Sequence, residues 1–323
     1  MSTAQQVPET WHLTGDDARK TLLDTGRRRL AADAFKRLRV ADGFSHARSL
    51  AFTLALVLVQ AIIALVGLAS VLGEGGASDV IVRSLQAAAP GPAGELLTDA
   101  VEQAHRAGAS HQYLGLVFGL VGAVITGTTM MGQFERALNR LYGVEQDRPT
   151  VQKYARAFLL TCSAGVLLIT AFGSMAFGRE IGRGLEDNAF ADVWAIIRWP
   201  LALTLSMAAM ATLFKLSPRR RQPGWSWLAF GATVSVILWS LVTLLLGLFF
   251  RASTSFGATY GPLAGVVALL LWAFLSSVAV LFGASVAAQL EAVRAGRPRP
   301  QDTEKVEHSE PESDRKPVAA GQR

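Results

Sequence analysis

Charged residues are scarce in this sequence of 323 residues. They make up 17% of the chain, whereas a soluble domain carries about 25%. The apolar residues, 51% of the total, are gathered into long runs. A membrane-spanning helix needs roughly 20 apolar residues, and buried helices of soluble proteins rarely run past about 14 without charge. The scarcity of charge therefore argues against a soluble globular fold.

Groups that catalyse reactions or bind metals are scarce as well. The single cysteine, Cys162, excludes a disulfide within the chain. None of the five histidines lies in an apolar run or beside carboxylates or cysteines at the spacing of a metal site. The sequence contains no Walker A motif and no nucleophile elbow. We therefore expect no enzyme activity, no catalytic residue, no metal and no cofactor.

Six apolar stretches have the length of a membrane span. They lie at residues 50–72, 113–131, 157–177, 193–214, 225–250 and 262–290. Five contain no Asp, Glu, Lys or Arg, and the fourth carries only Arg198, near enough to its start to reach the interface. The pattern predicts an all-α membrane protein with a bundle of six transmembrane helices within residues 49–293.

Basic residues mark alternate loops of this bundle. Of the 31 Lys and Arg, 25 lie in the segment to Arg48, in loops 132–156 and 215–224, and in the tail from Glu291. Because cytoplasmic loops hold the excess of Lys and Arg, both termini are predicted to be cytoplasmic. The same residues would adjoin anionic headgroups, so membrane lipids are the expected partner. The net charge of +6 then requires no nucleic acid.

The two ends of the chain differ from the bundle in composition. Residues 1–15 and 294–323 are polar, and we expect both to be disordered. Residues 16–48 predict a basic amphipathic helix, with Leu30 and Leu38 near one face. Such a helix either lies on the inner leaflet of the membrane or packs as a solvated helix on the loops.

The loop after the first span, residues 73–112, is the longest. Its Pro-Gly-Pro step at 90–92 marks a turn between two segments. Apolar residues at helical spacing predict short helices at 78–88 and 93–106. We expect this loop to cap the outer side of the bundle.

Three segments of the chain have a recognisable order and spacing. They are Asp42-Gly-Phe-Ser-His-Ala-Arg-Ser-Leu-Ala51, then Gly132-Gln-Phe-Glu-Arg-Ala-Leu-Asn-Arg-Leu-Tyr-Gly143, and last Phe256-Gly-Ala-Thr-Tyr-Gly-Pro-Leu-Ala-Gly265 with Leu271-Trp272 and Phe282-Gly-Ala284. Together they resemble the YihY/virulence factor BrkB family of bacterial inner-membrane proteins, over about residues 16–294. The resemblance implies six spans, both termini inside and a role in the cell envelope.

One segment departs from the family pattern. Members often have Gly-Ala-Glu-x-Asn-Ala late in the last span, whereas this chain has Gly283-Ala-Ser-Val-Ala-Ala288. Ser285 thus replaces the family carboxylate and Ala287 the asparagine, so an ion- or proton-binding role of that carboxylate would be lost or moved. The family also carries an old ribonuclease label, which no acid–base or metal constellation in this sequence supports.

A polar cluster lies at the predicted inner end of the second span. Its members, on neighbouring faces of one helix, are Gln133, Glu135, Arg136, Asn139, Arg140 and Tyr142. The arginines either hold a phosphate or an anionic lipid headgroup, or only anchor this helix end on the cytoplasmic side.

Two features at other positions concern the helix backbone. The residues that predict a break at the outer start of the last span are Thr259, Tyr260, Gly261 and Pro262. This break either lines an outward-facing cavity or belongs to an ordinary loop. The residues that predict close packing of helices are Gly115, Gly119 and Gly265.

These features predict an integral membrane protein of the cell envelope that transports or handles lipid or other amphiphiles. No charged residue lies in the middle of a span, which fits movement of an amphiphile better than ion-coupled uptake of a charged solute. The alternative is a non-enzymatic scaffold that recruits envelope partners, and a homo-oligomer is left open.

Overall fold

The fold is described from a computed structural model of the chain. The structure describes residues 3–72, 82, 89–184, 188–253 and 263–301. Three predicted features lie wholly or mostly outside these residues: the helix break at 259–262, the short helix at 78–88 and the tail from 302 onward.

Eight long helices account for most of the described chain. They are α1 (Gly15–Thr25), α2 (Arg27–Val40), α3 (Gly43–Leu72), α4 (Pro92–Tyr142), α5 (Thr150–Gly184), α6 (Asn188–Leu216), α7 (Trp225–Ala252) and α8 (Ala264–Arg294). The described ranges contain no β-strand. The predicted all-α class is therefore confirmed.

Helices α3 to α8 are long and apolar enough to cross a membrane. Their spanning segments are Gly43–Leu68, Tyr113–Tyr142, Thr150–Ala171, Ile196–Leu216, Trp225–Ala252 and Ala264–Arg294. Each overlaps one of the six predicted spans, which confirms the polytopic bundle. Neighbouring helices in the chain pack side by side, and α8 also contacts α3 and α4.

Helix α4 differs from the prediction of a separate short helix at 93–106. It runs without interruption for 51 residues, and Pro92 occupies its first turn. At 1.5 Å per residue it is roughly 75 Å long, so it extends well beyond a hydrocarbon core about 30 Å thick. Its first turns pack on α8, where a Cβ added to Gly265 would lie 2.9 Å from the Leu96 side chain.

The predicted amphipathic helix at 16–48 is divided into three parts. Gly26, with a φ of 84°, separates α1 from α2, and the last residues of the range already belong to α3. Leu30, Ala34 and Leu38 of α2 are buried against the bundle. This helix therefore docks onto protein through its apolar face, mainly onto α8.

Residues 3–14 are packed, in contrast to the disorder that we expected for residues 1–15. The Ala4 and Val7 amides donate to the Arg140 and Tyr142 carbonyls at 3.2 and 3.0 Å, and Val7 is buried. The Gln5 amide donates to the Pro300 carbonyl at 2.8 Å. Composition misled here because backbone hydrogen bonds to the end of α4 and to the segment after α8 order a polar segment that lacks a core of its own.

The apolar core has two main clusters, one in each half of the bundle. The first joins α1 to α8 near the ends of the helices that carry the basic loops, and contains Leu138, Leu160, Phe214, Trp227 and Leu281. We call this half, with loops 143–149 and 217–224, the basic half. The second cluster lies in the opposite half of the bundle.

The opposite half is built from fewer helices. Its cluster contains Ile62 and Val66 of α3, Leu97 of α4, Phe250 of α7 and Trp272 of α8. It contains no residue from the described side chains of α5 and α6. The antiparallel pair α5–α6, which we call the hairpin, therefore joins the described core only in the basic half.

Glycines set the distance between helices at a few places. A Cβ on Gly119 of α4 would lie 2.4 Å from the Ala64 backbone of α3, and one on Gly283 of α8 would lie 2.5 Å from the Gly231 carbonyl of α7. Gly115, for which close packing was also predicted, has no neighbour within 4 Å of such a Cβ. It lies one turn from Gly119, on a part of α4 whose surface is exposed.

Candidate functional site at the basic end

Charged side chains are buried at the end of the basic half. They come from α2, the ends of α4 and α8, and the two basic loops, and most of them were not among the predicted site residues. An unpaired buried charge is costly, so the partners of each group decide what the site can do.

Arg220 and Glu291 form the most buried ion pair among the described residues. The Arg220 Nη2 and Nη1 atoms lie 2.7 and 3.1 Å from the two Glu291 oxygens, and the side chains are 3% and 0% exposed. The Thr10 hydroxyl donates to the same carboxylate at 2.6 Å. The guanidinium also lies over the Tyr142 ring, 4.6 Å from its centroid. Such bidentate geometry fixes the relative positions of loop 217–224 and α8.

Arg37 of α2 is a second buried cation, and it contacts α8. Its Nε donates to Gln289 Oε1 at 2.8 Å, and its Nη1 donates to the Leu141 carbonyl at 3.0 Å and the Gln5 carbonyl at 3.1 Å. Burial lowers the pKa of Arg37 to about 10, which leaves it charged at neutral pH. Arg37 therefore joins α2, α4, α8 and the N-terminal segment at one point.

The structure explains how the chain accommodates the departure at Ser285. The Ser285 hydroxyl is buried and donates to the Ala34 carbonyl of α2 at 2.6 Å. A carboxylate at this position would face that carbonyl without a donor, whereas a hydroxyl satisfies it. Ala287 lies opposite Trp227, whose indole N–H approaches the Ala287 carbonyl at 3.4 Å. In this chain the segment is a docking surface for helices.

Glu135 of the predicted polar cluster forms the other buried ion pair. Arg148 Nη1 lies 2.8 Å from Glu135 Oε1, with the side chains 11% and 1% exposed. Arg148 also donates to the Ser217 and Pro218 carbonyls at 2.7 and 2.6 Å. The pair therefore ties the two basic loops to α4.

Asp147 gathers three donors at the edge of this network. It accepts from Asn139 Nδ2 at 3.2 Å, Arg136 Nε at 3.0 Å and Lys153 Nζ at 3.2 Å. Partial burial by itself would raise the pKa of Asp147, but these bonds and the lysine charge outweigh it, so the pKa is lowered. The Arg219 backbone N–H donates to Asn139 Oδ1 at 2.8 Å.

The remaining members of the predicted polar cluster lie apart from one another. Gln133 accepts a short hydrogen bond from the Ser49 hydroxyl of α3. Arg140 donates to the Glu145 carbonyl at 2.8 Å, and Tyr142 is buried under Arg220. The cluster therefore meets helices and loops of the same chain on nearly every side, with Arg136 its most exposed cation.

An open cavity of about 370 Å³ adjoins the buried ion pair. Its walls are formed by Trp11, Lys215, Arg220, Arg221 and Gln222. Sequence reasoning missed these residues as a site and treated their charges as topology signals. The available signal was the density of cations in loop 217–224, which alone does not reveal a cavity. Across the described residues, no group of three or more His, Cys, Asp or Glu lies close enough to hold a metal.

The geometry can be compared with known proteins. A family model described as virulence factor BrkB matches residues 34–308. The chain belongs to the virulence factor BrkB family. No solved structure matches it.

Three relatives illustrate the range of this family. A putative ribonuclease-like protein YfkH of Bacillus subtilis is 26% identical over 264 residues, which cover 80% of this chain and 94% of the relative. A UPF0761 membrane protein of Idiomarina loihiensis is 23% identical over 58% of this chain and 64% of its own length. A UPF0761 membrane protein from a Janthinobacterium strain is 28% identical over 56% of this chain and 41% of its own length. With its six apolar helices, this chain is a multi-pass protein of the cell membrane.

Proposed function

We propose that this protein binds and moves lipid or a similar amphiphile along the face between the hairpin and the other four membrane helices. The observation that carries the proposal is the composition of the two core clusters. The hairpin takes part in the cluster of the basic half but contributes no described side chain to that of the opposite half. A helix pair held at one end can separate from its neighbours at the other.

Apolar side chains continue along this face in the opposite half. Gly127 of α4 meets Thr161 of α5 where the two helices touch. Leu120 and Leu168 each lie seven positions, about two helical turns, beyond that contact, so they are on the same side of their helices and roughly 10 Å further into the opposite half. Leu120 is 53% exposed. Apolar side chains at this depth are compatible with hydrocarbon, and the spans contain no mid-membrane charge that would favour a charged solute.

Reconstituted vesicles test this proposal. We expect the protein to accelerate exchange of a fluorescent phospholipid between leaflets, and a crosslinker between Leu120→Cys and Leu168→Cys to suppress the exchange. Cys162→Ala supplies the background, because Cys162 is exposed on the hairpin. A crosslinked Gly132→Cys, Tyr154→Cys pair is the control and should leave the exchange unchanged, because these residues already join α4 to α5 in the basic half. Exchange no faster than in protein-free vesicles would contradict the proposal.

A scaffold is the second candidate, and the position of the chain ends favours it. Gln5 bonds to Pro300, so the described parts of both termini meet at the basic end. A partner could bind both together. If the protein acts this way, a chain lacking residues 302–323 would fail to replace the full chain in cells while its behaviour in vesicles is unchanged.

We also propose that the chain has no ribonuclease activity, despite the name of its Bacillus relative. The two buried carboxylates of the described residues, Glu135 and Glu291, each lie within 2.8 Å of an arginine nitrogen, which opposes a role as general base. Purified protein incubated with RNA and divalent cations should cleave no faster than a detergent blank. Cleavage lost in Glu135→Gln or Glu291→Gln would contradict this.

A further inference from the structure

The cavity beside the Arg220–Glu291 pair has an unusual excess of hydrogen-bond donors. Lys215, Arg220, Arg221 and Gln222 are all donors, and Trp11 forms the remaining wall. The cavity is open to the surroundings of the basic end and its volume of about 370 Å³ can hold a small polar group.

The charges at the cavity do not all cancel. Glu291 neutralises Arg220, and Glu9 accepts from the Arg221 backbone amide at 3.0 Å. Lys215 Nζ donates to the Gln222 carbonyl at 2.9 Å and to the Pro223 carbonyl, which leaves a third N–H. The cavity thus has two carboxylates and three cations, Lys215, Arg220 and Arg221, so it keeps a positive charge.

A buried polar side chain lies in the cavity wall. Gln222 is 3% exposed, and neither atom of its side-chain amide reaches good hydrogen-bond geometry within the described chain, although the Tyr142 phenol is its neighbour. A buried polar group without a well-formed hydrogen bond is unfavourable, so the Gln222 amide would gain a partner if it turned toward an acceptor in the cavity.

We propose that this cavity binds a phosphate group. A phosphate offers three or more acceptor oxygens, and the cavity is lined by Lys215 and Arg221, with the Gln222 amide buried in the wall beside them. A carboxylate, with two oxygens, satisfies fewer of these donors. The phosphate comes from a lipid headgroup or from a soluble phosphate compound, since both present the same oxygens.

The proposal does not depend on lipid movement. Trp11 is 62% exposed at the cavity, and an exposed tryptophan beside cations is typical of a membrane interface. A phospholipid at this position would keep its headgroup at the basic end. A protein that binds phosphate without moving lipid would leave this inference standing and defeat only the proposed function.

Binding experiments on the full-length protein test the cavity. The first arm titrates inorganic phosphate into protein in detergent by calorimetry. The second compares binding to phosphatidylcholine nanodiscs with and without phosphatidic acid. We expect saturable binding in at least one arm. The variant Lys215→Ala, Arg221→Ala should weaken it by about tenfold or more, the loss expected for charge-assisted hydrogen bonds of 1.5–3 kcal/mol.

Arg219→Ala is the matched control, because Arg219 is in the same loop but bonds to the Asp147 carbonyl outside the cavity. It should change the affinity less than about twofold. Gln222→Leu removes the amide without changing the charge, and it should weaken binding as well. Binding by phosphate alone identifies a soluble ligand, and binding only with phosphatidic acid identifies a lipid. No saturable binding in either arm, or equal losses in Arg219→Ala and Arg221→Ala, would overturn the proposal. Thermal unfolding of each variant checks that it is folded.

Discussion

In the basic half, all eight helices share one apolar cluster and two buried ion pairs tie the basic loops to α4 and α8, whereas the described core of the opposite half joins only α3, α4, α7 and α8, through apolar side chains. Charged pairs with bidentate or multiple hydrogen bonds accept few arrangements, because any displacement leaves a charge unsatisfied. Apolar contacts in lipid are less selective, since lipid chains can replace them. Under the proposed function, the basic half is the fixed end of the bundle and the opposite half is the end where the hairpin moves.

The largest effect is expected from breaking the ion pair at the fixed end. Arg220→Ala leaves Glu291 buried without its partner, and the loss of a buried partner costs about 3–5 kcal/mol. We expect a large drop in the thermal unfolding temperature in detergent. Replacing both residues with apolar ones, as in Arg220→Met, Glu291→Leu, should recover most of it.

The exposed pair Arg106–Glu102 provides a control with the same chemistry. Its side chains are 73% and 62% exposed. Arg106→Ala should cost less than about 1 kcal/mol, because exposed ion pairs are screened by solvent. Equal destabilisation by Arg106→Ala and Arg220→Ala would remove the distinction between buried and exposed charge on which the fixed end rests.

A smaller effect is expected from widening the contact between α3 and α4. Gly119→Ala would place a Cβ 2.4 Å from the Ala64 backbone, and overpacking of this kind costs about 1–3 kcal/mol. Gly115→Ala, one turn away, meets nothing within 4 Å and should be neutral or slightly stabilising because alanine favours the helix. Thermal unfolding of the two variants gives the comparison. If both lose stability equally, the close approach at Gly119 is not real.

The smallest effect concerns the pH dependence of the basic half. Because the pKa of Asp147 is lowered in the folded protein, its contribution is present above the ordinary value of 3.8 and disappears as the pH falls through the folded value. Asp147→Asn should cost about 1 kcal/mol or less at neutral pH. The difference in unfolding free energy between Asp147→Asn and the wild type should shrink as the pH falls below about 4. A gap that widens on acidification would contradict the assignment.

The sequence was sufficient to predict the six spans. Uncharged runs of about 20 residues have one physical explanation, and loops rich in Lys and Arg marked the basic end. It also marked Asn139 and Tyr142 as members of a polar cluster at this end, but it did not predict that both are buried. The orientation of the bundle in the membrane stays a prediction.

The sequence could not predict which charges pair. Arg220 and Glu291 are 71 positions apart, and Arg37 and Gln289 are 252 apart. Pairing at such distances depends on how the helices pack, which residue types alone do not encode. The same limit applies to the order in residues 3–14, whose backbone hydrogen bonds are made to the end of α4 and to Pro300, beyond α8.

Distances between spin labels test the central claim of one fixed and one movable end. Labels at Leu120→Cys and Leu168→Cys report on the opposite half, and labels at Val151→Cys and Trp225→Cys report on the basic half. Both pairs are made in Cys162→Ala and measured in nanodiscs. We predict a broad distance distribution for the first pair that changes with the lipid supplied, and a narrow, invariant one for the second. Equally narrow distributions for both pairs would contradict the account.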